Sequence, residues 1–199
     1  IAMFDSGVGG LTVLHECLVS LPAEDFLYLG DSANFPYGTK SRDELRGLVA
    51  RNTRFLLDRG AKLLIVACNS ATAAGADVAR EIAAERGVEV VTVVGPEAEI
   101  AAAISAGGKV GVLATPATVS GGAYHRALAE QGRALEVTEV AAPDLAPIIQ
   151  SGFPFDEGVV TTVRGYCEPL REAGVDTLIL GCTHYPLIAP MLQRMLGRD

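Results

Sequence analysis

The sequence predicts an α/β fold with mostly parallel sheets. Its 199 residues, of which 49% are hydrophobic, alternate short apolar segments with helix-like segments, and this alternation is typical of parallel strands joined by helices. Aromatic residues make up 6% and tryptophan is absent, so Ala, Val, Leu and Ile must form most of the core, as is common in sheets covered by helices. Some segments also match each other, which indicates two similar halves.

Apolar runs that end in polar loops, such as residues 62–67 and 109–114, predict buried strands. In chain order, strands are expected near residues 1–4, 26–30, 62–67, 88–94, 109–114, 135–140 and 176–181. The segments between them favour helices, which are expected near residues 10–20, 42–59, 71–86, 117–131, 156–173 and 186–196.

Composition excludes several classes of protein. A net charge of −8 leaves no basic stripe for a phosphate backbone, so nucleic acid is not an expected primary partner. No apolar run reaches the roughly 18 residues that span a bilayer, and the first residues lack the features of a secretory signal. We therefore expect a cytoplasmic protein that does not enter the membrane.

An internal repeat divides the chain. Residues 63–70 match residues 177–184, so that Cys68 falls on Cys182, and residues 1–6 match residues 111–116. The repeat predicts two pseudo-symmetric Rossmann-like domains, at 1–93 and 94–199. The strand at 88–94 has no counterpart after the last helix, so we expect the C-terminal part of the second domain to be missing.

Polar motifs follow the predicted strands at their carboxyl ends, where open α/β sheets bind ligands. These motifs are Asp5-Ser6-Gly7-Val8-Gly9-Gly10, residues 31–38, Cys68-Asn69-Ser70, Thr115 to Thr118, and Cys182-Thr183-His184. If the two halves face each other, Cys68 and Cys182 lie on opposite sides of one interdomain cleft.

Two thiols flanking a small ligand suit a two-base racemase or epimerase. One cysteine, as thiolate, removes a proton from a carbon, and the other, as thiol, returns a proton to the opposite face. Asp5 is expected to accept a hydrogen bond from Cys68 or from a substrate ammonium, and His184 to assist Cys182. Cys17 and Cys167 do not end strands, so we interpret them as packing residues.

Other interpretations of the same residues are weaker. The glycine-rich segment 7–12 has Thr12 where a dinucleotide fingerprint needs its third glycine, although its backbone N–H groups could bind a carboxylate. Pyridoxal phosphate needs a lysine, and only Lys40 is not at the start of a strand. A thiol-redox function would require a disulfide between two cysteines that a bound substrate would hold apart.

Four blocks in the chain resemble signature blocks of the glutamate racemase family, within the aspartate/glutamate racemase superfamily. They are Asp5 to Gly10, Pro36-Tyr37-Gly38, Ala67-Cys68-Asn69-Ser70-Ala71 and Gly181-Cys182-Thr183-His184-Tyr185-Pro186. The resemblance implies interconversion of L- and D-glutamate with no cofactor and no metal. It further implies a bacterial cytoplasmic homodimer that supplies D-glutamate for peptidoglycan in the cell wall.

The resemblance also implies roles for individual residues. Cys68 and Cys182 would be the acid/base pair, with Cys68 serving D-glutamate and Cys182 serving L-glutamate. Substrate contacts are implied at Asp5, Ser6, Tyr37, Gly38, Asn69, Ser70, Thr183 and His184, with Thr115 and Thr118 as further candidates. We expect backbone N–H groups and hydroxyls to hold both carboxylates of the substrate.

The chain departs from the family pattern at several positions. Ser70 stands where threonine is more frequent, which keeps the hydroxyl, and Ala142 replaces a frequent cysteine. Gln150 replaces a glutamate that assists the histidine beside the second cysteine, and an amide cannot supply that charge. Two alternatives therefore stay open: an aspartate racemase of the same superfamily, and a catalytically silent protein that binds an acidic amino acid.

Overall fold

The computed structural model describes residues 1–152 and 156–197. Its strands are β1 (Ala2–Asp5), β2 (Leu27–Gly30), β3 (Leu63–Val66), β4 (Glu89–Thr92), β5 (Lys109–Ala114), β6 (Glu136–Ala141) and β7 (Thr177–Gly181). One sheet has the order β2-β1-β3-β4 and the other has the order β6-β5-β7. Every pairing in both sheets is parallel. The predicted fold class is confirmed.

The helices cover the sheets and connect their strands. They are α1 (Leu11–Ser20), α2 (Arg42–Leu57), α3 (Asn69–Ala84), α4 (Val94–Ile104), α5 (Pro116–Ser120), α6 (Ala123–Ala129), α7 (Leu145–Gln150), α8 (Glu157–Glu172) and α9 (Ala189–Leu196). Short 3-10 helices lie at Ser32–Asn34 and Tyr185–Ile188. In the described ranges, no helix combines the length and the apolar character needed to cross a membrane.

The structure corrects the predicted helices in three places. The single helix expected over residues 117–131 is two helices, because Gly122 adopts a left-handed conformation with φ of +60° between α5 and α6. Helices α4 and α7 were not predicted, and each contains a proline, Pro96 and Pro147 respectively. Both prolines lie in the first helical turn, where the missing N–H costs no hydrogen bond.

The two sheets share one arrangement of strands. β1 and β5 are central, β2 and β6 lie on one side of them, and β3 and β7 lie on the other. This order matches the segments that correspond in the sequence repeat. The division at residue 93 stays a prediction, and the predicted half 94–199 includes the residues that the structure does not describe. Helix α4, which follows that boundary, packs against β7 and α6.

Each sheet buries its own apolar side chains. Leu45, Val49 and Leu56 of α2 pack with Phe4 and Leu64 of the first sheet, and all five are fully buried. Around the second sheet, the buried cluster includes Leu113, Val163, Cys167, Leu170 and Tyr185. Full burial of one large apolar side chain contributes about 1.5–3 kcal/mol. The sheets are therefore firm supports for the polar residues at the ends of their strands.

Candidate active site

The carboxyl ends of β1 and β7 meet where the two sheets approach each other. The hydroxyl of Thr183, after β7, donates a hydrogen bond of 3.2 Å to Asp5 Oδ1, at the end of β1. The hydroxyl of Thr12, at the start of α1, donates to the carbonyl oxygen of Thr183 at 3.1 Å. These contacts join the two halves at the position where the sequence predicts the cleft.

Cys68 is the N-cap of α3, and its sulfur accepts a hydrogen bond from the backbone N–H of Ala71 at 3.5 Å. Its side chain is 5% exposed. Burial and the nearby charge of Asp5 raise the pKa of the Cys68 thiol to about 12, although hydrogen bonds from Ala71 and Ser6 act in the opposite direction. The surroundings of Cys68 therefore stabilise the thiol and not the thiolate.

Cys182 follows β7 and is 8% exposed. Burial raises the pKa of its thiol, against a hydrogen bond from the backbone N–H of His184, and negative charge on Cys68, Asp5 or Glu97 raises it further. The mutual influence of Cys68 and Cys182 means that ionising one thiol disfavours ionising the other. One proton shared between two thiols is what alternating acid and base roles require.

The imidazole of His184 lies beside the second thiol, with its Nδ1 3.8 Å from Cys182 Sγ. On the other side, His184 Nε2 is 2.9 Å from Gln150 Oε1. The same Oε1 accepts a hydrogen bond from the backbone N–H of Val8 at 3.3 Å. Because a backbone N–H can only donate, the amide oxygen of Gln150 faces both groups, and Nε2 must carry the proton of a neutral His184. Nδ1 is then a free acceptor for the Cys182 proton.

His184 favours the neutral form. Burial lowers its pKa, while the charge of Asp5 raises it by a smaller amount. Gln150, being an uncharged amide, does not counter the effect of burial. Gln150 thus contacts His184 through an uncharged amide oxygen, which does not supply the negative charge that would stabilise the imidazolium.

The carboxylate of Asp5 is fully buried and is held by the glycine-rich loop. Its Oδ2 accepts hydrogen bonds from the backbone N–H groups of Gly7 at 3.1 Å and Gly10 at 3.0 Å. Burial raises the pKa of Asp5 despite these bonds. The expectation that the loop offers free N–H groups to a substrate carboxylate is thus wrong for Gly7, Val8 and Gly10, which already donate to side chains.

Three hydroxyls form a buried cluster between α3 and α5. Ser70 Oγ lies 2.8 Å from Thr115 Oγ1 and 3.4 Å from Thr118 Oγ1, and the two threonine oxygens are 3.0 Å apart. Gly38 packs directly on this cluster, because a Cβ at that position would lie 2.6 Å from Thr115 Cβ. The structure therefore brings together four of the residues that the sequence analysis singled out.

Tyr37 is fully buried, and its hydroxyl donates to Asp31 Oδ2 at 2.5 Å. Asn52 Nδ2 and Arg51 Nη2 also approach this pair, at 3.1 Å from Tyr37 Oη and 2.7 Å from Asp31 Oδ2. Burial and Asp31 raise the pKa of Tyr37. The sequence analysis placed Asp31 in the polar motif that follows β2 but assigned it no role in the site.

Two further residues near the thiols were missed. Tyr124 at the start of α6 and Glu97 on α4 hydrogen-bond to each other and to Asn69, the residue after Cys68. Neither residue follows a strand, so the pattern that found the other residues could not find them. In contrast, a cavity of about 710 Å³ between α8 and α9 contains none of the predicted site residues.

The geometry thus defines an α/β protein with two parallel sheets and a pair of buried thiols at matched strand ends. Residues 12–198 match the family model described as Asp/Glu/Hydantoin racemase. The chain belongs to this family.

Within the family, its relatives are glutamate racemases, which confirms the resemblance. It is 46% identical to the glutamate racemase of Roseiflexus sp. over 200 residues, which is 100% of this chain and 72% of the relative. A glutamate racemase isoform from Bacillus anthracis superposes with a TM-score of 0.91 at 37% identity, over 100% of this chain and 73% of that one. The glutamate racemase of Francisella tularensis, in complex with D-glutamate, gives 0.91 at 34% identity, over 98% and 72%.

Proposed function

We propose that this protein is a glutamate racemase that interconverts L- and D-glutamate with Cys68 and Cys182 as its two acid/base residues. The observation that carries the proposal is the pairing of two buried thiols at equivalent strand ends, close enough for charge on one to raise the pKa of the other. The glutamate racemases among its relatives, at 46% identity and below, support glutamate as the substrate.

Each turnover removes one proton from the α-carbon and adds one proton to its opposite face. Starting from L-glutamate, the thiolate of Cys182 takes the α-proton, and the electron pair of the broken C–H bond remains on the substrate. The thiol of Cys68 then donates its proton to the opposite face, which gives D-glutamate. Cys182 ends as thiol and Cys68 as thiolate, so the reverse reaction starts from the state in which the forward reaction ends.

His184 provides the proton acceptor that the second thiol needs. A thiol with a raised pKa is a poor base at neutral pH, and the free Nδ1 at 3.8 Å can take the Cys182 proton. Positive charge on His184 would then stabilise the thiolate. On the first side, the N-terminus of α3 and the hydrogen bond from Ser6 favour the Cys68 thiolate.

The remaining predicted site residues would bind the substrate. The hydroxyls of Ser70, Thr115 and Thr118, already clustered, are donors suited to a carboxylate. Ser6, Tyr37, Gly38, Asn69, Thr183 and Asp5 complete the proposed set. This assignment makes no use of a cofactor or a metal ion.

The test follows α-proton exchange in deuterated water, by NMR, with L-glutamate, D-glutamate and L-aspartate in separate samples. The wild-type protein should exchange and racemise glutamate and leave aspartate unchanged. Cys68→Ser and Cys182→Ser should each lower the rate of racemisation by at least about 10³-fold. Cys17 is partly exposed on α1, and Cys17→Ser serves as the matched control. Full activity in Cys68→Ser or Cys182→Ser would refute the two-thiol mechanism, and exchange of aspartate alone would indicate an aspartate racemase.

We further propose that the protein acts in the bacterial cytoplasm as a homodimer and supplies D-glutamate for peptidoglycan. Helix α1 buries none of its residues and exposes Leu11, Leu18 and Val19 at 47%, 48% and 64%, an apolar face that favours association. Sedimentation at micromolar concentration should give twice the monomer mass, and the gene should rescue a bacterium that requires D-glutamate. A monomer at every concentration would contradict the dimer, and absence of rescue would contradict the supply role.

A further inference from the structure

Glu97, which is partly buried, and Tyr124 form a polar network against Asn69. The hydroxyl of Tyr124, which is fully buried, donates a hydrogen bond to Glu97 Oε2. Asn69 Nδ2 donates to Tyr124 Oη at 2.7 Å and to Glu97 Oε2 at 3.3 Å. Three elements, α3, α4 and α6, thus contribute to a network that ends next to Cys68.

The network determines which way the Asn69 amide points. An ionised carboxylate only accepts hydrogen bonds, so Tyr124 must give its single proton to Glu97 and keep only lone pairs for Asn69. Asn69 must therefore present Nδ2, which donates to both oxygens of the network. Its Oδ1, at the other end of the amide, remains as the group that a ligand can use.

We propose that Glu97 is a positioning residue, which acts through Tyr124 to hold Asn69 with its acceptor oxygen available to the α-ammonium of the substrate. This inference rests on the proposed function and deepens it, since it assigns one end of the amino acid to one atom of the cleft. It also explains why a partly buried carboxylate lies next to a site for an acidic substrate. Without Glu97, the amide could turn over and present a donor where an ammonium needs an acceptor.

Protonation of Glu97 should release this orientation. Burial raises the pKa of Glu97 to about 7, despite hydrogen bonds from Tyr124 and Asn69. The groups that face it are Tyr124 from α6, Cys182 after β7 and the uncharged Asn69 from α3. A neutral Glu97 carries a proton of its own, so Tyr124 can donate elsewhere and the amide is no longer fixed.

The experiment compares Glu97→Gln with Glu99→Gln, an exposed glutamate on the same helix, by steady-state racemisation of L-glutamate between pH 6 and pH 9. At pH 8 the first variant should raise KM about tenfold, which is the size of one lost hydrogen bond. Its kcat should change little, because the ammonium contact exists equally in the ground state and the transition state. Wild type and Glu99→Gln should show a rise in KM as the pH falls through about 7, and Glu97→Gln should not.

A double-mutant cycle tests whether the effect passes through Asn69. Asn69→Ala alone should raise KM, and adding Glu97→Gln should then raise it no further. Additive effects, or a KM for Glu97→Gln equal to that of Glu99→Gln, would overturn the inference. The KM profile of unmodified protein gives the same answer if a variant does not fold, since a profile without a step near pH 7 contradicts it. Failure of the wild type to racemise glutamate would instead refute the proposed function.

Discussion

Replacing Glu97 with glutamine should make the stability of this protein less dependent on pH. The carboxyl group of Glu97 is ionised in the unfolded chain above its ordinary pKa of 4.5, whereas burial raises its pKa to about 7 in the folded protein. Between these values, the folded protein binds a proton that the unfolded chain does not. Glutamine has nearly the same shape but cannot titrate.

The sign and the magnitude follow from linkage. A raised folded pKa contributes stability that is fully present below pH 4.5 and is lost as the pH rises to about 7. At about 1.36 kcal/mol per pKa unit, the loss amounts to roughly 3 kcal/mol. That is a large fraction of the roughly 5–15 kcal/mol by which domains are stable. The free energy of unfolding of Glu97→Gln, relative to that of wild type, should therefore increase by about 3 kcal/mol from pH 4.5 to pH 8.

Urea unfolding at several pH values measures this difference directly. The free energy of unfolding is extrapolated at pH 5, 6, 7 and 8 for wild type, Glu97→Gln and the exposed control Glu99→Gln. Other titrating groups, such as Asp5 and His184, affect all three proteins alike and cancel in the comparison. Parallel curves for wild type and Glu97→Gln would show that Glu97 does not bind a proton on folding and that burial does not raise its pKa.

Two further changes test the geometry around the second thiol. Gln150→Glu places a carboxylate against His184 Nε2, at the present 2.9 Å, and should raise the pKa of His184 by roughly 1–3 units. The charged imidazole then donates its Nδ1–H to Cys182, so the pH profile of L-glutamate exchange should move to lower pH. An unchanged profile would contradict this assignment. Gly9→Ala puts a Cβ 2.5 Å from both His184 Nδ1 and Thr183 Oγ1. Displacing these two side chains should lower kcat/KM for L-glutamate exchange on the order of 10²-fold. Wild-type activity would show that catalysis does not depend on their present positions.

The strand-end rule accounts for what the sequence could predict. Cys68, Thr115 and Cys182 each come after a mainly apolar strand, so the apolar runs located them at the ligand-binding edge of the sheets. Glu97 and Tyr124 lie in helices, one of which was not predicted. Their relation to Asn69 arises from the packing of α4 on α6, which no local pattern encodes. Long-range packing therefore had to be seen before these two residues could be found.

The same limit applies to the hydrogen-bond partners of residues that were predicted. The sequence identified Gln150 as an uncharged replacement, but only the shared contact of its oxygen with Val8 and His184 assigns the proton to Nε2. Likewise, the glycine-rich loop has the composition of an anion site, yet two of its N–H groups donate to Asp5 of the same chain. A buried carboxylate inside the protein has taken the place that was expected for the substrate.

The two thiols obtain their reactivity by different means, and this asymmetry has a consequence for catalysis. Cys68 relies on fixed dipoles, from the N-terminus of α3 and from Ser6, whereas Cys182 relies on a neutral imidazole that becomes charged when it accepts the proton. Fixed dipoles do not accept the Cys68 proton, so the fraction of Cys68 present as thiolate rises about tenfold per pH unit below its thiol pKa of about 12. Burial lowers the pKa of His184, and proton transfer from Cys182 must work against that burial. That transfer moves a proton within the protein, whereas the Cys68 thiolate forms by losing a proton to solvent, so exchange of the D-enantiomer should be the more pH-sensitive direction.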